Sequence, residues 1–273
     1  MTEISIEARQ RGVEPAGRTR ATVSVAMIVF NEEKNLARTL EALRWADELV
    51  LVDSGSVDRT AEIAQQFGAQ FTVHREFRGH GEQKNVAIDR CTSEWIFLVD
   101  ADEVPSAELS AEIQRTLEHP EYDAYWVPRR NLFLNRWMGH GGLWPDRKLR
   151  LFKRGAARLE EGVGPHATPQ HTGAKGKLRH PLMHYAYPDF QQYLEHMNRY
   201  SGEVALGLVQ RGKGSRAGYF FKAFANPVVG FVHNYGIRLG FLDGWQGLVF
   251  HVNHAAYVHW KYIKAWRMKS GNR

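Results

Sequence analysis

The sequence predicts an α/β protein built on a doubly wound, mostly parallel sheet, followed by a helical C-terminal region rich in basic and aromatic residues. In the N-terminal part, short β-rich apolar runs alternate with segments of helical periodicity, the pattern of a parallel sheet with helices on its faces. Several of those runs end in carboxylates. From Arg211 onward, ten basic residues stand against one acid, Asp243, whereas the first 210 residues carry a net charge of −3.

The run ATVSVAMIVF, from Ala21 to Phe30, reads as the first strand. NEEKNLARTLEALRWA follows, with Leu36, Leu40 and Leu43 at helical spacing. Asn31 is the expected N-cap, and Glu32 and Glu33 suit the positive end of the helix dipole. ELVLVDSGS is a second strand ending in Asp53, DRTAEIAQQFG a helix stopped by Gly68, and AQFTVHR a third strand. GHGEQKNVAIDRC opens on glycines and continues as a helix, and SEWIFLVDADE is the fourth strand. If the extended conformation persists through Ala101, Asp100 and Asp102 point to one side, and with Asp53 three acids converge on one sheet edge. Ligands of such sheets gather at the carboxyl ends of the strands. Beyond them, Ser106 is placed to cap a helix marked by Leu109, Ile113 and Leu117. The stretch from Tyr122 to Gly164 suits loops and strands lining a pocket.

Clustered acids repel one another, and a partly buried carboxylate loses hydration, so WIFLVDADE is costly unless a cation or hydrogen-bond donors compensate. Two oxygens of an Asp-x-Asp pair can hold Mg²⁺ or Mn²⁺, which keeps its other positions for water and phosphate oxygens. The alternative is that these acids cap a turn and the next helix. The first strand-to-helix junction, IVFNEEKNL, lacks the G-x-G-x-x-G of dinucleotide-binding oxidoreductases, and there is no P-loop. A nucleotide must be held differently. The single cysteine, Cys91, rules out an internal disulfide and a cysteine-based zinc site, which suits a reducing, cytoplasmic setting. Residues 1–21 are polar, lack the apolar centre of a signal peptide and read as a flexible leader.

The stretches VSVAMIVFNEEKNL, LVDSGSVDRT, GHGEQKN and WIFLVDADE, in that order, resemble the successive signatures of family-2 glycosyltransferases with the GT-A fold. The resemblance implies a GT-A catalytic domain over 22–210, with a nucleotide-sugar half at 22–105 and an acceptor half at 106–210, before a C-terminal amphipathic helical region at 211–273. It implies that Phe30, Asn31 and Glu32 lie beside the nucleoside and that Asp53 accepts from the base or ribose. Lys84 would meet the diphosphate, Asp100 would contact the ribose or join the metal site, and Asp102 would bind Mg²⁺ or Mn²⁺ directly. For Lys84 a solvated helix face is an equal alternative. GGLWPDRKLRLF, GAKGKLRHPLMHY and NYGIRLGFLDGWQGLVF are similar to bacterial enzymes that add sugars to lipopolysaccharide core or related envelope glycans.

Such enzymes act by a single inverting displacement in which a carboxylate takes the acceptor hydroxyl's proton. Relatives commonly carry a His-Glu pair after the RLF segment, but here EEGVGPHATP places Ala167 after His166. Asp146, Glu160 and Glu161 are the substitute candidates, with His166 behind them. Asp146 could instead pair with Arg147 or Arg150, and the glutamates could lie in a solvated loop.

The expected partners are a nucleotide sugar, UDP-linked by resemblance, a lipid-linked glycan acceptor and an anionic membrane surface; nucleic acid is not expected. The longest stretch without Asp, Glu, Lys or Arg runs from Gly244 to Trp260, 17 residues including several polar ones, which falls short of a membrane span. Basic and aromatic residues there favour peripheral binding at the inner face of the cytoplasmic membrane. His251 and His254 share a helical spacing and read as packing residues. A polyprenyl-phosphate acceptor, which supplies its own ionised nucleophile, and an inactive membrane-binding protein that retains the fold are the two alternatives.

Overall fold

All of Val23 to Val29 is buried except Ile28, which is half-buried, as befits a strand covered on both faces. The computed structural model describes residues 20–160, 168–187, 189–212 and 214–269. The strands β1 (Val23–Val29), β2 (Glu48–Asp53), β3 (Gln70–Val73) and β4 (Trp95–Leu98) alternate with α1 (Leu36–Ala42), α2 (Thr60–Gln66) and α3 (His80–Arg90). β1 pairs in parallel with both β2 and β4, and β2 with β3. On one face of the sheet Val25, Met27 and Phe97 pack with Leu36 and Leu40 of α1. On the other, Val52, Ile96 and Leu98 pack with Ala87 and Ile88 of α3. Helices on both faces make the sheet doubly wound.

The chain continues through β5 (Glu103–Pro105), α4 (Ala107–Thr116), β6 (Ala124–Phe133), β7 (Arg136–Trp137), β8 (Asp146–Lys153), β9 (Arg158–Leu159), β10 (Pro169–Gln170), β11 (Gly176–Lys177) and β12 (Leu182–Tyr187). The main sheet runs β3-β2-β1-β4-β8-β6-β12-β5, with β7 and β11 attached to β6, and β9 pairs β10 separately. Strand β8 enters antiparallel between β4 and β6, which carries Arg150 beneath the end of β4. Ser106 caps α4 by accepting from Leu109 N, and Leu109 and Ile113 are buried as their spacing predicts.

Helices α5 (Phe190–Gln210), α6 (Arg216–Phe231) and α7 (Gly244–Met268) close the chain, with a π-turn at Val232–Ile237 and a 3-10 turn at Gly240–Asp243 before α7. α5 ends where the acceptor half was expected to end. It nonetheless packs with the C-terminal helices: Lys264 Nζ on α7 donates to Asn198 O and Ser201 Oγ on α5. Among the described residues no helix is long and apolar enough to cross a membrane. His251 and His254 pack against aromatic rings, His254 stacked over Phe250.

Two local expectations are corrected. Asn31 is not a helix cap, and Glu32 and Glu33 do not lie in the first turn of α1, which starts at Leu36 after Asn35. Asn31 adopts a positive φ of 56°, which asparagine tolerates, and this turns the chain towards the loop after β2. Likewise β4 stops at Leu98, and residues 101–102 form a turn in which Glu103 N donates to Asp100 O at 2.9 Å. The turn brings the Glu103 carboxylate back beneath Asp100, where its Oε2 accepts from Asp100 N at 3.1 Å. Strand alternation therefore does not orient the Asp-x-Asp pair. The expected leader, apart from residues 20 and 21, lies outside the described residues, as do Glu161, His166 and Ala167.

Candidate active site

The carboxyl ends of β1, β2 and β4 meet at one edge, with Val29 paired to Asp53 in register. Asp53 is 2% exposed, and its carboxylate accepts from Gly55 N, Ser56 N and Ser56 Oγ. Gly55 allows this tight return because its φ is 105°. The loop so shaped is stitched to the end of β1. Asn31 N donates to Ser56 Oγ at 2.8 Å, Val57 N to Asn31 Oδ1 at 2.9 Å, and Glu32 N to Thr60 Oγ1 at 2.8 Å. Phe30, 58% exposed, stands at the mouth of this double loop. Glu32 joins the acids at this edge. Asp102, Asp58 and Asp100 surround Glu32, and burial, with their repulsion, raises its carboxyl above the ordinary value against a hydrogen bond from Asn35. Asp53 is turned into its own loop.

Beneath that edge lies a charge network. Lys84 Nζ of α3 is 2.5 Å from Asp100 Oδ1, and Arg150 Nη2 is 2.7 Å from Asp100 Oδ2. The same Arg150 nitrogen is 2.6 Å from Glu103 Oε1, and Arg129 joins Glu103 at 3.2 Å to Asp146 at 2.7 Å. Glu103 has no exposed surface, so these guanidiniums offset a charge that water cannot reach. Burial opposes ionisation of Asp100, yet Arg150 and Lys84 hold its carboxyl well below the usual range. Both its oxygens are engaged by cations, which suits a scaffold more than a metal ligand. Lys84 is thus not a solvated helix residue.

Asp102 differs. Its Oδ2 lies 3.2 Å from His184 Nε2, while His184 Nδ1 lies 2.7 Å from Asn131 Oδ1. His184 thus turns one ring nitrogen to Asn131 and the other to Asp102, with Nε2–H donating to the carboxylate or, deprotonated, sharing a cation with it. One carboxylate and one imidazole, the latter oriented through its second nitrogen, fit Mg²⁺ or Mn²⁺ that takes its remaining ligands from water and phosphate. Burial opposes ionisation of Asp102 too, and His184 brings its carboxyl below the ordinary value. Among the described residues no group of three His, Cys, Asp or Glu side chains could hold a metal ion, so such an ion would depend on its substrate for the other contacts.

The base candidates separate. Asp146 is paired with neither Arg147 nor Arg150 but with Arg129 and with Lys148 at 3.0 Å. Burial opposes ionisation, but Arg129 and Lys148 hold the Asp146 carboxyl below its ordinary value, which makes it a weak proton acceptor. Glu160 is exposed and directly follows Leu159, whose N and O are both held at 3.0 Å by the side-chain amide of Asn85. Asn85 adjoins Lys84 on α3, so this clamp pins the chain carrying Glu160 to the same helix. Sequence reasoning missed Glu103, Arg129, Arg150, His184 and Asn85. Glu103 was visible as the third acid of DADE, and Asn85, Arg150 and His184 lie in the GHGEQKN, RKLRLF and HPLMHY stretches, whereas Arg129 lies in none of them.

The family model described as Glycosyl transferase family 2 matches residues 24–177, which span this arrangement apart from His184. The chain belongs to glycosyl transferase family 2. Among its relatives is the lipopolysaccharide core biosynthesis glycosyltransferase LpsC of Rhizobium meliloti, 28% identical over 254 residues that cover 87% of this chain and 92% of the relative. An uncharacterized glycosyltransferase of Rickettsia prowazekii is 27% identical, covering 83% of this chain and 80% of its own. In fold the chain resembles the mannosyltransferase PcManGT of Pyrobaculum calidifontis, solved with GDP-Man and Mn²⁺, with a TM-score of 0.54 at 14% identity over 90% of this chain and 87% of that one. This family-2 glycosyltransferase thus has the GT-A fold with C-terminal helices added to it.

Proposed function

We propose that this chain is a metal-dependent, inverting glycosyltransferase that moves a hexose from a nucleotide sugar, UDP-linked, to a lipid-anchored acceptor of the cell envelope such as lipopolysaccharide core. The pairing of Asp102 with His184 at 3.2 Å, beside the Lys84–Asp100–Arg150 network, carries this reading. Mg²⁺ or Mn²⁺ bound there would neutralise the diphosphate as it leaves. Phe30, Asn31 and the loop held by Asp53 receive the nucleoside, and Lys84, kept in place by Asp100, lies towards the phosphates. The acceptor oxygen attacks the anomeric carbon, the bond from that carbon to the diphosphate breaks, and the proton passes to a carboxylate. We assign that carboxylate to Glu160 or Glu161, because Asp146 is held ionised by two cations. The name of the Rhizobium meliloti relative supports the lipopolysaccharide acceptor, and docking at the inner face of the cytoplasmic membrane would bring the enzyme to it.

The test is thermal melting with nucleoside diphosphates and nucleotide sugars, with and without Mn²⁺. A ligand at a hundred times its Kd stabilises the native state by about 2.7 kcal/mol. UDP should raise the melting temperature, Mn²⁺ should add to that rise, and Asp102→Ala should abolish the Mn²⁺ increment while the unliganded protein still melts cooperatively. An increment that survives Asp102→Ala overturns the metal assignment, and full sugar transfer by that variant overturns the mechanism.

A further inference from the structure

The C-terminal helices present an apolar ridge that their neighbours leave uncovered. On α6, Phe221, Phe224 and Val228, with Val232 just past its end, follow one another at intervals of three or four residues along one stripe, and Phe221 is 72% exposed. On α7, Trp245, Leu248 and Val252 form a second stripe, with Trp245 61% exposed. Between the helices Ile237, 70% exposed, and Leu239 continue the ridge across the turn. Exposed apolar surface this extended marks a contact with something other than water.

Next to the ridge, a cleft of about 410 Å³ opens between the 139–145 loop and the turn carrying Ile237, Arg238 and Leu239, with His140 and Trp144 also lining it. Arg238 is exposed and makes no ion pair among the described residues. Its guanidinium lies against Gly142, where an added Cβ would come within 2.4 Å of Nη1. Both walls are tied together: Gly141 N donates to Arg238 O at 2.9 Å, and Asp243 accepts from Gly139 N, from His140 N and from His140 Nδ1. Asp243 is 2% exposed, so the only acid after residue 210 presents no negative charge to the surface.

We infer that this ridge enters the interface of an anionic bilayer and that Arg238, in the adjoining cleft, takes the phosphate of a lipid headgroup. The occupant follows from charge: the segment 211–273 that carries the ridge has ten basic residues and one acid, and that acid is buried, a combination that complements an anionic leaflet. A second copy of the same chain would bring like charges together. The inference deepens the proposal of a lipid-linked acceptor and rests on it for the identity of the membrane. The loop that forms the cleft runs straight into Asp146 and β8, so a bilayer held here lies against the acceptor half of the enzyme.

The experiment is flotation of the full chain with phosphatidylcholine vesicles, with and without phosphatidylglycerol, alongside sedimentation without lipid. The wild type should float with the anionic vesicles and stay behind with the neutral ones. Phe221→Glu/Trp245→Glu should remain in solution, and Arg238→Ala should bind about fivefold more weakly, the equivalent of ~1 kcal/mol for one basic residue near the surface. Circular dichroism and UDP-induced stabilisation report whether each variant is folded. Unchanged flotation of the double variant, or a wild-type protein that ignores both vesicles, overturns the inference. So does a wild-type dimer that the double variant dissolves, since the ridge would then face another copy. Loss of UDP binding in a wild type that still floats would instead defeat only the donor assignment.

Discussion

Arg150 is the residue on which the site's charge balance turns, since one guanidinium nitrogen serves Asp100 and Glu103 together. Replacing one partner of a buried ionic group strands the others, at a cost of about 3–5 kcal/mol. Arg150→Met should therefore lower stability by that amount in urea unfolding, whereas Arg158→Met, which alters an exposed pair with Asp89, should cost less than about 1 kcal/mol. The pH dependence follows from the direction of the shift at Asp100. Its folded carboxyl is held below the unfolded value of about 3.9, so its contribution is complete above that pH and fades as acid approaches the folded pKa. Arg150→Met should flatten that acid limb. At the proposed base, Glu160→Gln or Glu161→Gln should reduce kcat by about 10²- to 10⁴-fold with UDP-induced stabilisation intact. Asp146→Asn should instead destabilise the fold by freeing Arg129 and Lys148, and a larger kcat loss there than in either glutamine variant would return the base to Asp146.

At the scale of elements, the first four strands and three intervening helices were legible because apolar runs and leucine spacing report burial directly, as Leu36, Leu40 and Leu43 show by having no exposed surface. The junctions were not. Asn31 looks like a cap by composition, yet its backbone and side chain are taken by Ser56 and Val57, partners distant in sequence. The DADE turn is set by Arg150 and Arg129, arriving on β8 and β6, which no local pattern announces. His184 was hidden for the same reason, since its meaning depends on β12 lying beside Asn131 of β6. Helix α7 offers its own test. Burial, with Lys261 and His251 nearby, pushes the His254 imidazole down to about 4. Below its ordinary value of about 6.5 the unfolded chain takes up a proton that the folded one refuses, so stability falls as pH drops towards 4. His254→Phe should reduce that fall by an amount on the order of 2 kcal/mol, read from unfolding midpoints at pH 6.5 and 4.5.

For the whole molecule, charge sets residues 211–273 apart in the sequence, and in the structure the helices there pack against the rest of the chain. Tyr193 of α5 packs with Phe133 of β6 and Phe250 of α7 in a single cluster. Asp243 then reaches 103 and 104 positions back along the chain to His140 and Gly139. Deleting everything after residue 210 would strip those two amides and the imidazole of their acceptor and expose the Phe133 cluster to water. The shortened protein is expected to melt well below the full chain and to lose sugar transfer even to a soluble acceptor; unimpaired melting would show that the halves fold independently. Evolution of this enzyme is constrained accordingly. A lineage cannot exchange its C-terminal helices for another segment without also rewriting the loop that leads into β8, so recruitment to a new acceptor must proceed by reshaping both together.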